Sequence, residues 1–292
     1  MIPQMNIVAW GQFVPWADPR QVEQDLIISR ALVELFTDAF LRAELRFRGG
    51  TALNKLHLPK PLRYSEDIDL VRTSSGPIGP VLDKIRDVLE PWLGHASFDQ
   101  SPVAPKLRFR VEAEDKTSPA PIRLKVEVHT REIVAYDPPR AMPFEVKNPW
   151  FSGRAEIATF SNEEILATEL RALLQRDKGR DLIDLSHAAE VFKGLDHERV
   201  VALLQQYLAT AGQGISRAQA EQRMFAKLAN PGFMADVRPL LSADEAERFD
   251  GATARAAFRA VFLSVVKRFP GQAWARTEEM AARFGMAELA KD

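Results

Sequence analysis

Cysteine, long apolar runs and an excess of charge of either sign are all missing from this chain of 292 residues. Without cysteine, disulfide bonds and thiolate metal sites are excluded. No apolar run approaches the ~20 residues that a membrane-spanning helix needs, and the first residues lack the basic and apolar regions of a signal peptide. We therefore expect a cytoplasmic protein that does not bind membranes.

Positive and negative charges nearly cancel, with 39 Lys and Arg against 40 Asp and Glu, for a formal net charge of −1. No overall electric field therefore attracts nucleic acid, and any binding of phosphate must come from a local patch. The strongest local cluster surrounds a break between two predicted helices, where it is able to meet a triphosphate or an RNA backbone. Its members are Arg171, Arg176, Lys178 and Arg180.

Apolar and polar residues follow two different periods along the chain. Up to about residue 155, predicted helices alternate with segments such as KLRFRVEAE and IRLKVEVHTRE, whose alternation is typical of half-buried strands. These two segments are predicted to pair antiparallel across the loose turn DKTSPAP. The proline-rich stretch YDPPRAMPFEVKNPWFSG is predicted to be mostly irregular, with at most one short strand.

We predict an α+β fold in two domains, which suits 292 residues at roughly 150 residues per domain. Residues 1–155 form an α/β core. Its N-terminal helix begins at Asp18-Pro19, an N-cap followed by proline in the first helical position. Residues 156–292, in which the helical period dominates, form a helical C-terminal domain.

Two acidic residues separated by one apolar residue stand out in FRGGTALNKLHLPKPLRYSEDIDLV, residues 47–71. On the predicted strand, Asp67 and Asp69 project from the same face. Carboxylate pairs of this kind are hard oxygen ligands that suit Mg²⁺ or Mn²⁺, with phosphates completing the shell. Alone, such a pair is more often a solvated strand end, but here a second element stands close by.

A glycine pair precedes the acidic pair and opens a short predicted helix. Gly49 and Gly50 expose backbone N–H groups that are able to hold phosphate. Thr51 adds a hydroxyl group, and Lys55 lies one turn further along the same helix face. One element is thus suited to a triphosphate, and the other to the metal ion that the triphosphate carries.

A third carboxylate completes the predicted constellation. Glu127 alternates with buried valines in IRLKVEVHT and shares a face with Arg123, Lys125 and His129. A further acidic group near an attacking hydroxyl serves as a metal ligand or as a base. By itself a residue such as Glu127 is more often a solvated strand residue, and nothing near His129 has metal-ligand spacing.

Together these residues resemble the AbiEii/AbiGii-type nucleotidyltransferase toxins, which belong to the DNA polymerase β-like superfamily. The family pattern is close to F-x-G-G-T-A-L-x-K followed by R-[FY]-S-x-D-[IL]-D, and the stretch above meets it, with Arg63, Tyr64 and Ser65 before Asp67. A later family motif, R-x-x-x-R-D-h-x-D-L, is met by Arg176, Arg180, Asp181, Asp184 and Leu185. The resemblance covers roughly residues 21–189.

The resemblance implies a polymerase β-like core with a mixed sheet flanked by helices. It implies Mg²⁺-dependent transfer of a nucleoside monophosphate from an NTP to an RNA acceptor such as tRNA, and a cognate antitoxin protein. The implied metal ligands are Asp67, Asp69 and Glu127. Asp181, which borders an apolar stripe, is the site-facing acidic residue, with Asp184 farther out. The implied nucleotide-binding residues are Gly49, Gly50, Thr51, Lys55, Arg63, Arg176 and Arg180.

One position departs from the family pattern. In ATELRAL, Glu169 stands where a lysine thought to hold the nucleotide is usual. A helical projection places Glu169 inside the apolar stripe, so we expect it to be buried and paired with Arg176 or with a basic residue of the first domain. This departure keeps open a catalytically weak nucleotide-binding or interaction module. A second enzymatic alternative is the modification of a protein side chain.

Overall fold

The computed structural model describes residues 2–115 and 120–291. The chain divides into two compact units, Met1–Ser161 and Asn162–Asp292. The predicted boundary at residue 155 lies inside the last strand of the first unit. Among the described residues, no helix is both long and apolar enough to cross a lipid bilayer.

A five-stranded sheet forms the centre of the first unit, in the order β1-β2-β5-β4-β3. The strands β2 and β5 run parallel, and every other neighbouring pair is antiparallel. The mixed α+β fold predicted from the sequence is therefore confirmed. The strands of this sheet are β1 Leu45–Arg48, β2 Asp67–Arg72, β3 Ser97–Asp99, β4 Lys106–Val111 and β5 Ile122–His129.

Helices flank this sheet, and the longest of them begins where the sequence predicted. The carboxylate of Asp18 accepts a hydrogen bond of 2.8 Å from the backbone N–H of Arg20, and Pro19 occupies the first helical position. The apolar side of this helix, α2, packs against β5 and a later strand. The helices are α1 Gln4–Trp10, α2 Pro19–Thr37, α3 Ala39–Glu44, α4 Gly49–Ala52, followed by a π-helical turn Leu53–His57, and α5 Gly79–Leu93.

Alternation along β4 and β5 gives the sheet one apolar and one charged face. Leu107, Phe109, Leu124, Val126 and Val128 are all fully buried. The residues between them point to the opposite side, because successive side chains on a strand alternate. We call that side the polar face of the sheet. It carries Asp67, Asp69, Lys106, Arg108, Arg110, Arg123, Lys125 and Glu127.

A two-stranded hairpin follows the main sheet, where the sequence predicted mostly irregular chain. The strands β6 Arg140–Lys147 and β7 Ser152–Thr159 pair antiparallel over their whole length. The prediction was wrong because the prolines in this stretch were taken as breakers. In a two-stranded sheet each strand has an unpaired edge, and there Pro143 does not interrupt the pairing.

The second unit is helical, as predicted, in its described part. Its core includes an aromatic cluster in which the rings of Phe225 and Phe262 lie 5.3 Å apart. Both side chains are fully buried. The helices are α6 Asn162–Gln175, α7 Gly179–Val191, α8 His197–Thr210, α9 Arg217–Ala229, α10 Ala243–Arg248, α11 Gly251–Ser264 and α12 Thr277–Arg283, with short 3₁₀ turns at Arg238–Leu240, Val266–Arg268 and Ala287–Ala290.

Candidate active site

The glycine pair and the acidic pair lie against each other. Strand β1 ends at Arg48, and α4 begins at Gly49, whose φ is +81°. A Cβ atom at Gly49 would lie 2.7 Å from the Oδ2 atom of Asp69. Only glycine meets both conditions without strain, because it adopts positive φ freely and leaves room for the carboxylate.

Thr51 connects the same two elements from inside the protein. Its side chain is buried, and its hydroxyl group donates a hydrogen bond of 2.5 Å to the backbone carbonyl oxygen of Asp67. The hydroxyl group of Ser65 lies 2.7 Å from the Thr51 oxygen. In this structure Thr51 therefore positions the start of β2, while its predicted role in binding phosphate stays a prediction.

Asn54 is a positioning residue that the sequence reasoning missed. Its amide nitrogen donates to the carbonyl oxygen of Gly50 at 2.9 Å, and its amide oxygen accepts from the backbone N–H groups of Leu62 and Arg63 at 2.9 and 3.1 Å. The side chain thus ties the glycine helix to the loop that leads into β2. No sequence signal marked it, because its position is variable in the family pattern.

The two basic residues predicted beside the glycine pair are largely buried. The Lys55 ammonium group lies 2.8 Å from the Oδ2 atom of Asp25 and donates to the Ser29 hydroxyl group at 3.0 Å. The guanidinium group of Arg63 donates to the carbonyl oxygen of Tyr64 at 3.0 Å. The partner Asp25 was not foreseen, because it lies far away along the chain on α2.

Asp25 collects hydrogen bonds from several elements of the first unit. Besides Lys55, the indole N–H groups of Trp10 and Trp16 donate to its two oxygens at 2.9 and 3.1 Å. A buried carboxylate is tolerated when it is paired and hydrogen-bonded in this way. Lys55 therefore helps to hold α2 beside the glycine helix.

The three predicted metal ligands share the polar face of the sheet. The parallel register of β2 and β5 places Asp67 opposite Lys125 and Asp69 opposite Glu127. The Lys125 ammonium group lies 3.0 Å from a carboxylate oxygen of Asp67 and 3.0 Å from one of Glu127. The structure thus brings the acidic residues to one place and inserts a lysine between two of them.

Electrostatics single out Asp69 within this group. Burial is the main cause that raises the pKa of Asp69 to about 6; the charges of Asp67 and Glu127 act in the same direction, and that of Lys125 opposes them. Burial alone would lower the pKa of Lys125, but the charges of Asp67 and Asp69 raise it above its usual value. The raised pKa of Asp69 therefore comes mainly from its burial in the cluster.

The chemistry of the donor set fits a divalent cation. Carboxylate oxygens on adjoining strands are the hard ligands that Mg²⁺ and Mn²⁺ prefer. Burial, the main cause of the raised pKa of Asp69, disfavours the ionised carboxylate in the absence of a cation. Over the described ranges, however, no three His, Asp or Glu side chains form a ready-made metal cluster. Instead, the Lys125 ammonium group contacts one carboxylate oxygen of Asp67 and one of Glu127. Metal binding therefore requires these side chains to rearrange.

The later motif lies in the second unit and forms a contact network of its own. Asp181 is fully buried, and its two oxygens accept hydrogen bonds of 2.7 and 2.8 Å from the guanidinium group of Arg176. The sequence interpretation placed Asp181 inward and Asp184 farther out. The second expectation was wrong, because Asp184 is also fully buried.

Asp236 supports the start of α7 and was missed by the sequence reasoning. Its Oδ1 atom accepts a hydrogen bond of 2.9 Å from the backbone N–H of Gly179, and its Oδ2 atom lies 3.9 Å from the Nε atom of Arg180. A Cβ atom at Gly179 would lie 2.7 Å from the carbonyl oxygen of Phe233. Glycine in this motif thus permits a close approach of the chain around Asp236.

Glu169, the departure from the family pattern, is buried in α6 as the apolar stripe predicted. Arg176, one of its two predicted partners, makes the bidentate pair with Asp181 described above. A glutamate therefore occupies the interior of the second unit at the position where a lysine is usual.

The mixed sheet, the glycine turn and the acidic strands together define a nucleotidyltransferase. The family of nucleotidyl transferase AbiEii toxins, of type IV toxin–antitoxin systems, matches residues 30–255. The chain belongs to this family, and it is a nucleotidyltransferase toxin of that kind.

Solved structures share the fold across nearly the whole chain. MenT4, the nucleotidyltransferase toxin Rv2826c from Mycobacterium tuberculosis H37Rv, superposes with a TM-score of 0.62 at 18% identity, covering 99% of this chain and 97% of that chain. JHP933 from Helicobacter pylori superposes with a TM-score of 0.50 at 15% identity, covering 93% and 99%. No functionally curated protein matches the sequence.

Proposed function

We propose that this toxin transfers a nucleoside monophosphate from an NTP to an RNA acceptor such as the 3′ end of tRNA. The observation that carries the proposal is the contact between the glycine turn and the acidic strand, where Gly49 lies directly against Asp69. A phosphate-binding turn packed against carboxylates is what a metal-bound triphosphate requires.

The glycine turn provides the proposed phosphate site. Gly49 and Gly50 open α4, and their backbone N–H groups are proposed to hold the β- and γ-phosphates. The hydrogen bond from Thr51 to Asp67 keeps this turn in register with β2. Lys55 and Arg63 are proposed to add positive charge near the same phosphates.

Asp67, Asp69 and Glu127 are the proposed ligands of Mg²⁺ or Mn²⁺. When bound, such an ion neutralises phosphate charge and aligns the α-phosphate for attack. Lys125 holds two of the carboxylates at 3.0 Å in the structure. If a cation were held by these carboxylates, the Lys125 ammonium group would be available to the phosphates.

The proposed transfer step is an in-line displacement at phosphorus. An acceptor hydroxyl oxygen forms a bond to the α-phosphorus, and the bond from that phosphorus to the bridging oxygen of the β-phosphate breaks. Glu127 helps to accept the hydroxyl proton, and pyrophosphate leaves with the electron pair. The Lys106 ammonium group and the His129 ring each lie 3.7 Å from a carboxylate oxygen of Glu127.

Within the second unit, Arg176, Arg180 and Asp181 are proposed as residues that act on phosphate. The Arg176 side chain is about half exposed, at 49%, although its bidentate pair with Asp181 fixes its orientation. An arginine held in this way presents its remaining N–H donors in a defined direction. We propose that Arg176 and Arg180 neutralise phosphate charge and that Asp181 orients Arg176.

Labelled nucleotides test the proposal directly. The protein is incubated with α-³²P-labelled NTPs, a divalent cation and total RNA, and in parallel with a proteome, and the label is followed. We expect label in RNA, and we expect Asp67→Ala to abolish it. Asp87→Ala, at an exposed position on α5, is the matched control and should transfer normally. Label in protein with none in RNA would replace the RNA proposal by protein modification.

A further inference from the structure

The polar face carries two pairs of like charges set directly opposite each other. The antiparallel register of β4 and β5 places Arg110 opposite Arg123 and Arg108 opposite Lys125. Like charges at directly opposed positions destabilise a sheet. Apolar or oppositely charged residues at these positions would make the sheet more stable. The stability of the sheet therefore does not explain why these like charges face each other.

Carboxylates of the protein neutralise the charges of only one of these two pairs, Arg108 and Lys125. Arg108 lies 3.1 Å from a carboxylate oxygen of Asp99, and Lys125 contacts Asp67 and Glu127. Arg110 and Arg123 are both exposed, and over residues 2–115 and 120–291 neither guanidinium group is hydrogen-bonded or ion-paired to the protein. We call Arg108, Arg110 and Arg123 the basic row.

The basic row adjoins the proposed catalytic carboxylates on the same strand. Arg123, Lys125 and Glu127 follow one another on one face of β5. At ~3.3 Å per residue, Arg123 lies about 13 Å from Glu127 along the strand. A polyanion on the basic row therefore has one end within reach of the acidic cluster.

We propose that the basic row binds the phosphodiester backbone of the RNA acceptor and leads its terminal hydroxyl group toward Glu127. This inference rests on the proposed function, because it locates the acceptor of that same reaction. Guanidinium groups bind phosphate through paired N–H donors, and several in a row suit a chain of phosphates.

The composition of the surface favours RNA over an acidic protein. Protein interfaces have an apolar centre surrounded by polar groups. On β4 and β5, the apolar residues Leu107, Phe109, Leu124 and Val126 all point to the buried side of the sheet. The exposed side offers charge without an apolar centre, as binding to a nucleic acid backbone requires.

Binding to a short fluorescent single-stranded RNA tests the proposal with the full chain. In the double variant Arg110→Gln/Arg123→Gln, we expect the Kd measured by anisotropy near ~0.1 M salt to rise about tenfold. The slope of log Kd against log salt should fall by about 1.4, because each lost phosphate contact on single-stranded RNA removes about 0.7. The double variant Arg42→Gln/Arg255→Gln removes the same charge from exposed sites elsewhere and should bind as the wild type does.

A second variant guards against misfolding. Arg110→Glu places a carboxylate opposite Arg123, so the sheet should be as stable as before or more stable, while RNA binding is lost. A folded Arg110→Glu protein that binds RNA with the wild-type Kd overturns the proposal. The proposal is also overturned if the protein binds polyglutamate more tightly than RNA and the Arg110→Gln/Arg123→Gln variant loses that binding. The partner of the basic row would then be an acidic protein.

Transfer of label, measured in parallel, separates this inference from the proposed function. If the wild type labels RNA and the KM for RNA is unchanged in Arg110→Gln/Arg123→Gln, the basic row is not the acceptor surface, although the proposed reaction stands. If the wild type binds RNA through the basic row but labels none, the surface stands and the proposed reaction fails. A rise of about tenfold in the KM for RNA, with the KM for NTP unchanged, supports both.

Discussion

The Cβ atom that Gly49 lacks would lie 2.7 Å from the carboxylate oxygen Oδ2 of Asp69. This relationship joins the first glycine of the glycine pair to the second aspartate of the acidic pair, and it makes glycine necessary at the site for two independent reasons. One reason is the backbone conformation, and the other is the space that the carboxylate occupies.

Comparing the stability of Gly49→Ala with that of Gly94→Ala separates the effect of backbone conformation from the effect of the space that Asp69 occupies. Both glycines have nearly the same φ, +81° and +80°, but no atom lies within 4 Å of the position of a Cβ atom at Gly94. We expect Gly94→Ala to lower the free energy of unfolding by about 1–3 kcal/mol through backbone strain alone, because its ψ of 177° completes a conformation that only glycine adopts readily. Gly49→Ala should lower it further and abolish nucleotide transfer. Chemical denaturation measures both variants, and equal losses would show that the close approach to Asp69 has no effect.

Thr51→Val removes the hydroxyl group that donates to the Asp67 carbonyl oxygen while keeping the side-chain shape. We expect a loss of about 1–3 kcal/mol of unfolding free energy, because a buried carbonyl oxygen loses its donor. Since Asp67 then moves, the KM for NTP should rise as well. Thr51→Ser keeps the donor and should transfer nearly normally.

Thr73→Val is the matched control for this prediction. Thr73 makes the same kind of bond, 2.7 Å to the carbonyl oxygen of Ala43, but at an exposed site. Its loss should change stability by a few tenths of a kcal/mol at most, since water replaces the donor. A Thr51→Val protein with unchanged stability and KM would rule out the positioning role.

Asp69 makes the stability of the metal-free protein depend on pH. Its pKa of about 6 in the folded state lies above the ordinary value of 3.8, so the folded state binds the proton more tightly than the unfolded state does. The wild type should therefore gain stability as pH falls from about 6 to about 4, and should remain less stable above that window. Denaturation at several pH values, compared with Asp69→Asn, isolates this contribution.

Adding a divalent cation should remove the effect. A bound cation stabilises the ionised carboxylate, so the pKa of Asp69 falls and the gain in stability at low pH disappears. The affinity for the metal should decrease as pH falls below about 6, because the proton competes with it. An identical pH profile with and without metal would show that Asp69 is not a ligand.

Glu169→Lys restores the residue that is usual in the family. Because Glu169 is buried, a lysine there brings a positive charge into the interior of the second unit. If this position faces the nucleotide, the affinity for NTP should rise about tenfold, corresponding to one favourable contact with phosphate of about 1.4 kcal/mol. Equilibrium binding of a fluorescent NTP measures the change.

Glu190→Lys, at an exposed position on α7, provides the control of equal charge. It should leave the NTP affinity unchanged. A Glu169→Lys protein that folds, as judged by its thermal transition, and binds NTP no better than the wild type would show that Glu169 has a structural role in α6.

Local patterns were sufficient for much of the fold. The strands β2, β4 and β5 and the helix α2 lie where alternation and the Asp18 cap predicted them. The β6–β7 hairpin was not foreseen, because its prolines are compatible with a strand only if that strand lies at an edge. Whether a strand lies at an edge depends on its partners, which a local pattern does not contain.

For the candidate site, the sequence by itself determined the two chemical elements, the glycine turn and the acidic residues on one face of a strand. Their residue types and spacing are sufficient for this, because helix and strand periods are local properties. Only the tertiary structure decided which charges meet. Lys55 contacts Asp25 on α2, and Lys125 lies between Asp67 and Glu127. The partners in the pairs Lys55–Asp25 and Lys125–Asp67 are distant in sequence, and helix packing and strand register bring them within hydrogen-bonding distance.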